Sequence, residues 1–114
     1  MAKNYYVTTP IYYVNDKPHI GHAYTSLAAD IIARYKKLDG YNVFFLTGTD
    51  EHGQKVERSA NKKNIDPQIF TDQVSVHFRE LAKKMNFCND DFIRTTEARH
   101  KKSASAFWGK LQEA

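Results

Sequence analysis

Cysteine is almost missing from this sequence: among 114 residues there is one, Cys88. A single thiol cannot close an internal disulfide, and alone it cannot build a cysteine-rich zinc site. The expectation is a reduced, half-buried thiol in a reducing compartment. Long apolar runs are missing too. None approaches the roughly 20 residues that span a bilayer, so no membrane partner is expected. The opening Met1-Ala2-Lys3-Asn4-Tyr5 enters a strand-like run with no apolar leader core, so no secretory signal is visible and a cytoplasmic location is expected. Internal repeats and low-complexity stretches are absent as well.

What remains is ordinary globular material. Hydrophobic residues make up 41% and charged residues 26%, enough for one small domain that removes roughly two-thirds of its unfolded surface from water. The net charge of +4 is unevenly placed. Residues 1–53 hold five basic and five acidic side chains, whereas residues 54–114 hold twelve and eight. A basic surplus on one half can favour a phosphate-rich partner, but at this size it reads first as a solvated helical surface.

The chain opens with Tyr5-Tyr6-Val7-Thr8-Thr9, a β-branched and aromatic run that predicts a buried strand ended by Pro10. Asn15-Asp16-Lys17-Pro18 is turn chemistry. From His22 to Leu38, residues Ala23, Leu27, Ala28, Ile31, Ile32, Tyr35 and Leu38 follow a 3.6-residue period. That predicts an amphipathic helix burying one stripe, with Lys36 and Lys37 in its last turn and Gly40 at its cap. Val43-Phe44-Phe45-Leu46 predicts a strand buried on both faces. The first 47 residues therefore read as a βαβ unit with parallel strands and a right-handed crossover. Further on, a short helix is expected over 54–61. A longer one is capped by Asp66 with Pro67 at its first position, and Phe70, Val74, Phe78, Leu81 and Met85 share its inner face. Phe92-Ile93 suggests a short strand. A last helix capped by Thr95 or Thr96 carries Ala104, Phe107, Trp108 and Leu111 on one face and has no stop signal before Ala114.

Three stretches carry chemistry. Pro18-His19-Ile20-Gly21-His22 sits where a strand hands over to a helix N-terminus. Unpaired N–H groups there suit phosphate, two imidazoles can add hydrogen bonds, and Gly21 lets a flat base approach the backbone. The competing reading makes His19 a simple helix cap and His22 an exposed helix residue. Thr47-Gly48-Thr49-Asp50-Glu51-His52-Gly53 follows the second strand, at the same sheet rim, where a carboxylate can hold an ammonium group. Its competing reading makes Thr49 or Asp50 a cap of the next helix. Ile11-Tyr12-Tyr13-Val14 can wall an apolar pocket or simply fill the core.

Taken together, Tyr6-Val7-Thr8-Thr9-Pro10-Ile11-Tyr12-Tyr13-Val14-Asn15, His19-Ile20-Gly21-His22, Phe44 to Gln54, and Asp90-Asp91-Phe92-Ile93-Arg94-Thr95-Thr96 resemble the opening of methionyl-tRNA synthetases, which are class I aminoacyl-tRNA synthetases. The His-Ile-Gly-His element alone marks only the class; its combination with the other stretches is far more specific. The resemblance covers essentially the whole chain. It implies an α/β, parallel-sheet, Rossmann-like nucleotide-binding domain of the HUP type, of which this chain is the first half. Residues 1–47 would be the βαβ unit, and residues 48–114 a mainly helical continuation.

The same resemblance implies that methionine is activated with ATP and Mg2+ to methionyl adenylate and then passed to tRNA(Met). By motif, His19, Gly21 and His22 would bind ATP, with His19 and His22 catalytic. Ile11, Tyr13 and Asp50 would bind L-methionine, and Pro18 and His52 would stand behind them. No metal site is implied within this chain. The family's Lys-Met-Ser-Lys-Ser motif is absent, and Lys101-Lys102-Ser103-Ala104-Ser105 is a superficial likeness on a solvated helix face. Also absent are the connective domain, where zinc knuckles occur in many members, and the anticodon-binding region. The isolated chain is expected to be inactive and to need the remaining C-terminal part of the enzyme. Two rivals stand beside this reading: a metal-dependent hydrolase using His19, His22, Asp50 and His52, and a non-catalytic nucleotide-binding module.

Overall fold

The computed structural model describes residues 2–114. Four strands and four helices follow in the order β1 (Asn4–Thr8), β2 (Tyr12–Tyr13), α1 (Ile20–Leu38), β3 (Asn42–Asp50), α2 (Gln54–Lys62), α3 (Pro67–Lys84), β4 (Asp91–Arg94) and α4 (Ala98–Glu113). Every strand pair is parallel, and β3 is the common partner. Leu46 of β3 is shared by Thr8 and Asp91, and Thr49 by Tyr12 and Arg94. Hence β1 and β2 run along one side of β3 and β4 along the other. Between them, β1 and β2 form one interrupted ladder. Pro10 has no N–H to donate, and the chain spends four residues from Thr8 to Tyr12 while β3 advances three, from Leu46 to Thr49. The extra residue is a bulge that re-aims the chain before the turn that leads to His19.

Parallel strands need crossovers, and α1, α2 and α3 all lie on one face of the sheet. Phe45, Val7 and Val43 pack with Ala29 and Ala33 of α1. Tyr12, Val14 and Phe92 pack with Val56 and Ala60 of α2 and with Phe70, Val74 and Phe78 of α3. These residues share one parity along the strands, as the two-residue period requires. Opposite parity puts Tyr6, Phe44 and Tyr13 on a face that no helix covers. The layer count is therefore one sheet and one helical layer, with Cα extents of 53 × 42 × 18 Å.

Two expectations are corrected here. The strand at Val43–Leu46 is buried on one face only, since Phe44 is 46% exposed while Phe45 is fully buried. In α1 the residues turned to the core are Ser26, Ala29, Asp30 and Ala33. The larger apolar residues Leu27, Ile31, Ile32, Tyr35 and Leu38 face outward and are exposed, and Ala28 is exposed with them. Small side chains let the helix backbone approach the sheet closely, so they win the inner face.

Helix ends follow local chemistry. Asp66 caps α3 by accepting from Gln68 and Ile69 N–H, with Pro67 at the first position. Of the inner face expected for α3, Phe70, Val74 and Phe78 are buried, whereas Met85 is exposed at the C-cap. Helices α1, α2 and α3 each end on a left-handed residue, Gly40 (φ 85°), Asn64 (φ 54°) and Asn86 (φ 53°). The last helix starts after Glu97, not after Thr95 or Thr96, because those threonines are engaged elsewhere. No residue of α4 is buried, and Phe107, Trp108 and Leu111 stand in solvent. Lys101 and Lys102 are exposed on the same helix.

Candidate nucleotide and amino acid site

The turn at His19 is a reciprocal cap made by two imidazoles. His19 is the N-cap of α1, with extended backbone, and its Nδ1 accepts from the Gly21 N–H at 3.0 Å. In return His22 Nδ1 accepts from the His19 N–H at 3.0 Å. This is the geometry of a capping box, with histidines in the places usually held by Ser or Thr and Glu. An accepting Nδ1 carries no proton, so each neutral ring bears its proton on Nε2. Both rings thus keep an N–H donor for a ligand while satisfying helix-start donors with the other nitrogen. Burial, and then the neighbouring His19, hold the His22 imidazole below its ordinary pKa, which keeps it neutral and able to accept. The ring centroids lie 4.0 Å apart.

Gly21 has a specific steric task in this turn. A Cβ there would lie 2.8 Å from His19 Cε1 and 3.1 Å from its Nδ1. Glycine is what lets the His19 ring fold over the helix start.

The dipeptide Tyr12-Tyr13 joins the two motifs. Tyr12 points to the covered face, where its hydroxyl lies 2.9 Å from Ser26 Oγ, and its ring meets His22 edge-on at 4.8 Å and stacks on Phe78 at 5.9 Å. Tyr13 points the other way and is in register with Asp50. The His19–His22 turn and the Asp50 carboxylate therefore leave from the same end of two adjacent parallel strands. Ligands of parallel α/β sheets gather at that end. Ile11 and Tyr13 are both more than 40% exposed, as wall residues of an open site would be. Pro18, just before His19 in the chain, is half-buried.

Thr47, Gly48, Thr49 and Asp50 belong to β3 rather than to a loop after it. Neither Thr49 nor Asp50 caps α2, whose N-cap is Gly53 with no side-chain bond. Asp50 Oδ1 accepts from the His52 N–H at 3.4 Å, and the His52 ring sits 3.3 Å from the Thr95 carbonyl through Nε2.

Sequence reasoning missed the group beneath this rim. Glu51 turns inward with a fully buried side chain. Its Oε2 accepts from Arg94 Nε and from Thr49 Oγ1, each at 2.7 Å. Its Oε1 accepts from Arg94 Nη2 at 2.7 Å and Thr96 Oγ1 at 2.8 Å. Burial pushes the Glu51 carboxyl up, but the hydrogen bonds from Arg94, Thr49 and Thr96 together outweigh it and leave it below the usual range. The partner guanidinium is held above its ordinary value, chiefly by the hydrogen bonds it donates to Glu51. The only sequence signal was the spacing of Thr49 and Glu51 on one strand face; that Arg94 lies beside them needed the β3·β4 register.

Elsewhere the surface offers less specific features. A cavity of about 310 Å3 between α3, β4 and α4 is lined by Arg79, Lys83, Phe87, Asn89, Asp91 and Arg99, away from the motifs above. His19 and Tyr13 are exposed, and His22 and Asp50 are half-buried. Among the described residues no group of three or more His, Cys, Asp or Glu side chains could hold a metal ion. The hydrolase quartet His19, His22, Asp50 and His52 is thus not assembled as a metal centre.

A parallel sheet with a histidine-capped helix start after one strand and a carboxylate at the end of its neighbour is the arrangement of a Rossmann-like α/β fold. The family profile described as "tRNA synthetases class I (M)" matches residues 5–114, and the chain belongs to that family. It is 68% identical over 111 residues to the methionine–tRNA ligase of Rickettsia conorii, covering 97% of this chain and 22% of that protein. With the ligase of Thermotoga maritima it shares 56% identity over 109 residues, 96% of this chain and 17% of that one. The crystal structure of Mycobacterium tuberculosis methionyl-tRNA synthetase bound by methionyl-adenylate superposes with a TM-score of 0.94 at 44% identity, covering 97% of this chain and 22% of that chain. The chain therefore spans about a fifth of the length of the relatives it matches. No helix among the described residues is long and apolar enough to cross a membrane.

Proposed function

We propose that this chain supplies the ATP-cradling and methionine-recognising half of a methionine–tRNA ligase active site, acting in the cytoplasm. The observation that carries the proposal is the reciprocal histidine cap, whose His22 ring meets Tyr12, the residue just before the Tyr13 that is in register with Asp50. In this reading the Nε2–H groups of His19 and His22 donate to ATP phosphate oxygens at the N-terminus of α1, where the helix dipole also favours negative charge. They cost no reorganisation, because the caps already hold both rings. Donors of this kind aimed at developing charge are worth about 3 kcal/mol each in the transition state. Gly21 keeps the approach to the adenine low. The Asp50 carboxylate holds the methionine ammonium through a charge-assisted hydrogen bond, and Ile11 and Tyr13 wall the thioether. Pro18 and His52 stand behind these groups.

The methionine carboxylate then attacks the α-phosphorus, pyrophosphate leaves, and the aminoacyl group passes to the 3′ end of tRNA(Met). These residues fit a nucleotide, and among the described residues there is no cluster for a resident divalent metal. Mg2+ would enter on the ATP phosphates. The open apolar face of the sheet and the exposed faces of α1 and α4 fit a further partner, the remainder of the ligase, which also brings the second phosphate clamp and any zinc.

The test is methionine-dependent exchange of pyrophosphate into ATP by the ligase that contains this sequence. His19→Ala and Asp50→Ala should each abolish measurable exchange, and the 114-residue chain alone should show none. Exchange that survives both substitutions would refute the assignment. A nucleotide-binding module without methionine dependence would bind ATP with unchanged affinity in Asp50→Ala and show no exchange in any form.

A further inference from the structure

The buried Glu51–Arg94 pair sits one residue beyond Asp50 and one before the threonine that holds His52. Its surroundings tie the end of β3 to β4 and to α3. Thr49, Glu51 and Arg94 share the covered face, and the Glu51 N–H donates to Thr95 Oγ1 at 2.8 Å. The Thr95 N–H donates to the Thr49 carbonyl at 3.2 Å, and Arg94 also bonds Asp72 of α3. All four oxygen contacts to Glu51 come from fixed neighbours on β3, on β4 or just after it. A buried ion pair is not needed for stability, since apolar residues of similar volume serve as well or better. What a bidentate pair adds is geometry: two parallel N–H···O bonds fix the carboxylate plane. With Glu51 pinned inward, strand alternation forces Asp50 outward, beside Tyr13.

We propose that Glu51 and Arg94 are positioning residues for amino acid recognition: the bidentate pair locks the C-terminal turn of β3 so that Asp50 faces the ammonium site and His52 stays against the Thr95 carbonyl. The inference rests on the functional reading above. It deepens that reading by assigning part of methionine affinity to two residues that touch no ligand.

The experiment is pyrophosphate exchange by the ligase containing this sequence, unsubstituted and with Glu51→Gln or Thr96→Ala, alongside urea unfolding of each. Glu51→Gln keeps the side-chain shape but loses the charge that fixes the guanidinium. The expected result is a KM for methionine raised about tenfold, with the KM for ATP changed by less than about twofold and kcat per folded molecule largely kept. Thr96→Ala removes one of the four bonds and should raise the methionine KM about two- to threefold, in the same direction. A purely structural pair would lower the folded fraction and leave both KM values alone, and that outcome overturns the inference, as does an equal rise in both. If Glu51→Gln does not fold, Thr96→Ala decides by the same criterion. Absence of methionine-dependent exchange in the unsubstituted ligase overturns the functional reading itself, and this inference with it.

Discussion

Alanine at Gly48 should destabilise the fold, whereas alanine at Gly109 should add helicity and leave global stability unchanged. Gly48 lies inside β3, in register with Ile93 of β4. A Cβ there would sit 2.0 Å from the Ile93 carbonyl oxygen and 2.7 Å from its Cγ2. The first contact is backbone, so it cannot be relieved by turning a side chain. The strands must part by more than an ångström over a ladder of four registered pairs, Leu46–Asp91 to Thr49–Arg94. Overpacking of a rigid site costs about 1–3 kcal/mol and sometimes more. Here it also pulls Arg94 from Glu51, which puts Gly48→Ala at about 3 kcal/mol or above. With a urea m-value of roughly 1.5 kcal/mol/M, the midpoint falls by about 2 M. At Gly109, within α4, an added Cβ meets nothing within 4 Å, and alanine in a helix interior is favoured over glycine by about 1 kcal/mol. Because α4 buries no residue, that gain appears as added helicity, with the global midpoint unmoved. Far-UV circular dichroism across a urea series reads both effects, and Trp108 fluorescence reports α4 separately. A Gly48→Ala midpoint within about 0.3 M of the parent would refute the steric argument, and so would a Gly109→Ala loss as large as that at Gly48.

Three further outcomes follow from the site. His19→Asn should keep the α1 cap, since asparagine accepts as well as any N-cap residue, so stability stays within about 0.5 kcal/mol. Exchange in the ligase should still fall by about 10²–10³ for want of the Nε2–H donor; a stability loss without a rate loss would reverse the assignment. Tyr12→Phe leaves the buried Ser26 hydroxyl without its partner at 2.9 Å and should cost about 1–2 kcal/mol in urea unfolding, an effect that Ser26→Ala in the same chain should largely cancel. Acid should destabilise the fold. The Glu51 carboxyl is held below its ordinary value in the folded chain, so its contribution is complete above the unfolded value of roughly 4.3 and is lost as pH falls through the lower folded one. A urea midpoint that rises between pH 5 and pH 3, or a Glu51→Gln variant as acid-sensitive as the parent, would contradict this.

Much of the path to this site was legible from local chemistry. Asp66-Pro67 wrote the start of α3 in a residue pair that has few other uses. Phe92-Ile93 fell inside the strand found at Asp91–Arg94. The choice between cap and ligand at His19 was posed as an alternative, and the structure makes the cap real while leaving the second ring nitrogen available. One nitrogen of an imidazole can cap while the other binds, so the two readings never competed. The strand at Tyr12–Tyr13 was hidden because two residues carry no period, and only pairing with Thr49 and Asp50 makes them a strand.

The inverted face of α1 shows where sequence pattern runs out. A 3.6-residue period fixes the relative phase of Leu27, Ile31, Tyr35 and Leu38, but it does not say which surface meets them. Hydrophobicity alone assigns them to the core of whatever polypeptide is considered. Against the sheet, however, helix packing distance is limited by bulk, and Ala29 and Ala33 bring α1 close enough for Phe45 to be wholly enclosed. Asp30, turned the same way, is held by the Cys88 N–H at 2.6 Å and by Arg34 Nε at 2.8 Å, so the inner face accepts a charge while leucine and tyrosine stay outside. An apolar stripe that faces outward opposite a buried one would suit, on the proposed function, a helix with a second layer against its outer face. On that argument Leu27→Glu and Ile31→Glu should leave the unfolding midpoint of the 114 residues within about 0.5 kcal/mol, as exposed sites do. In the completed ligase, where the second layer covers the stripe, the same pair should cost several kcal/mol by burying unpaired charge. Equal losses in both settings would place the stripe in this chain's own core after all.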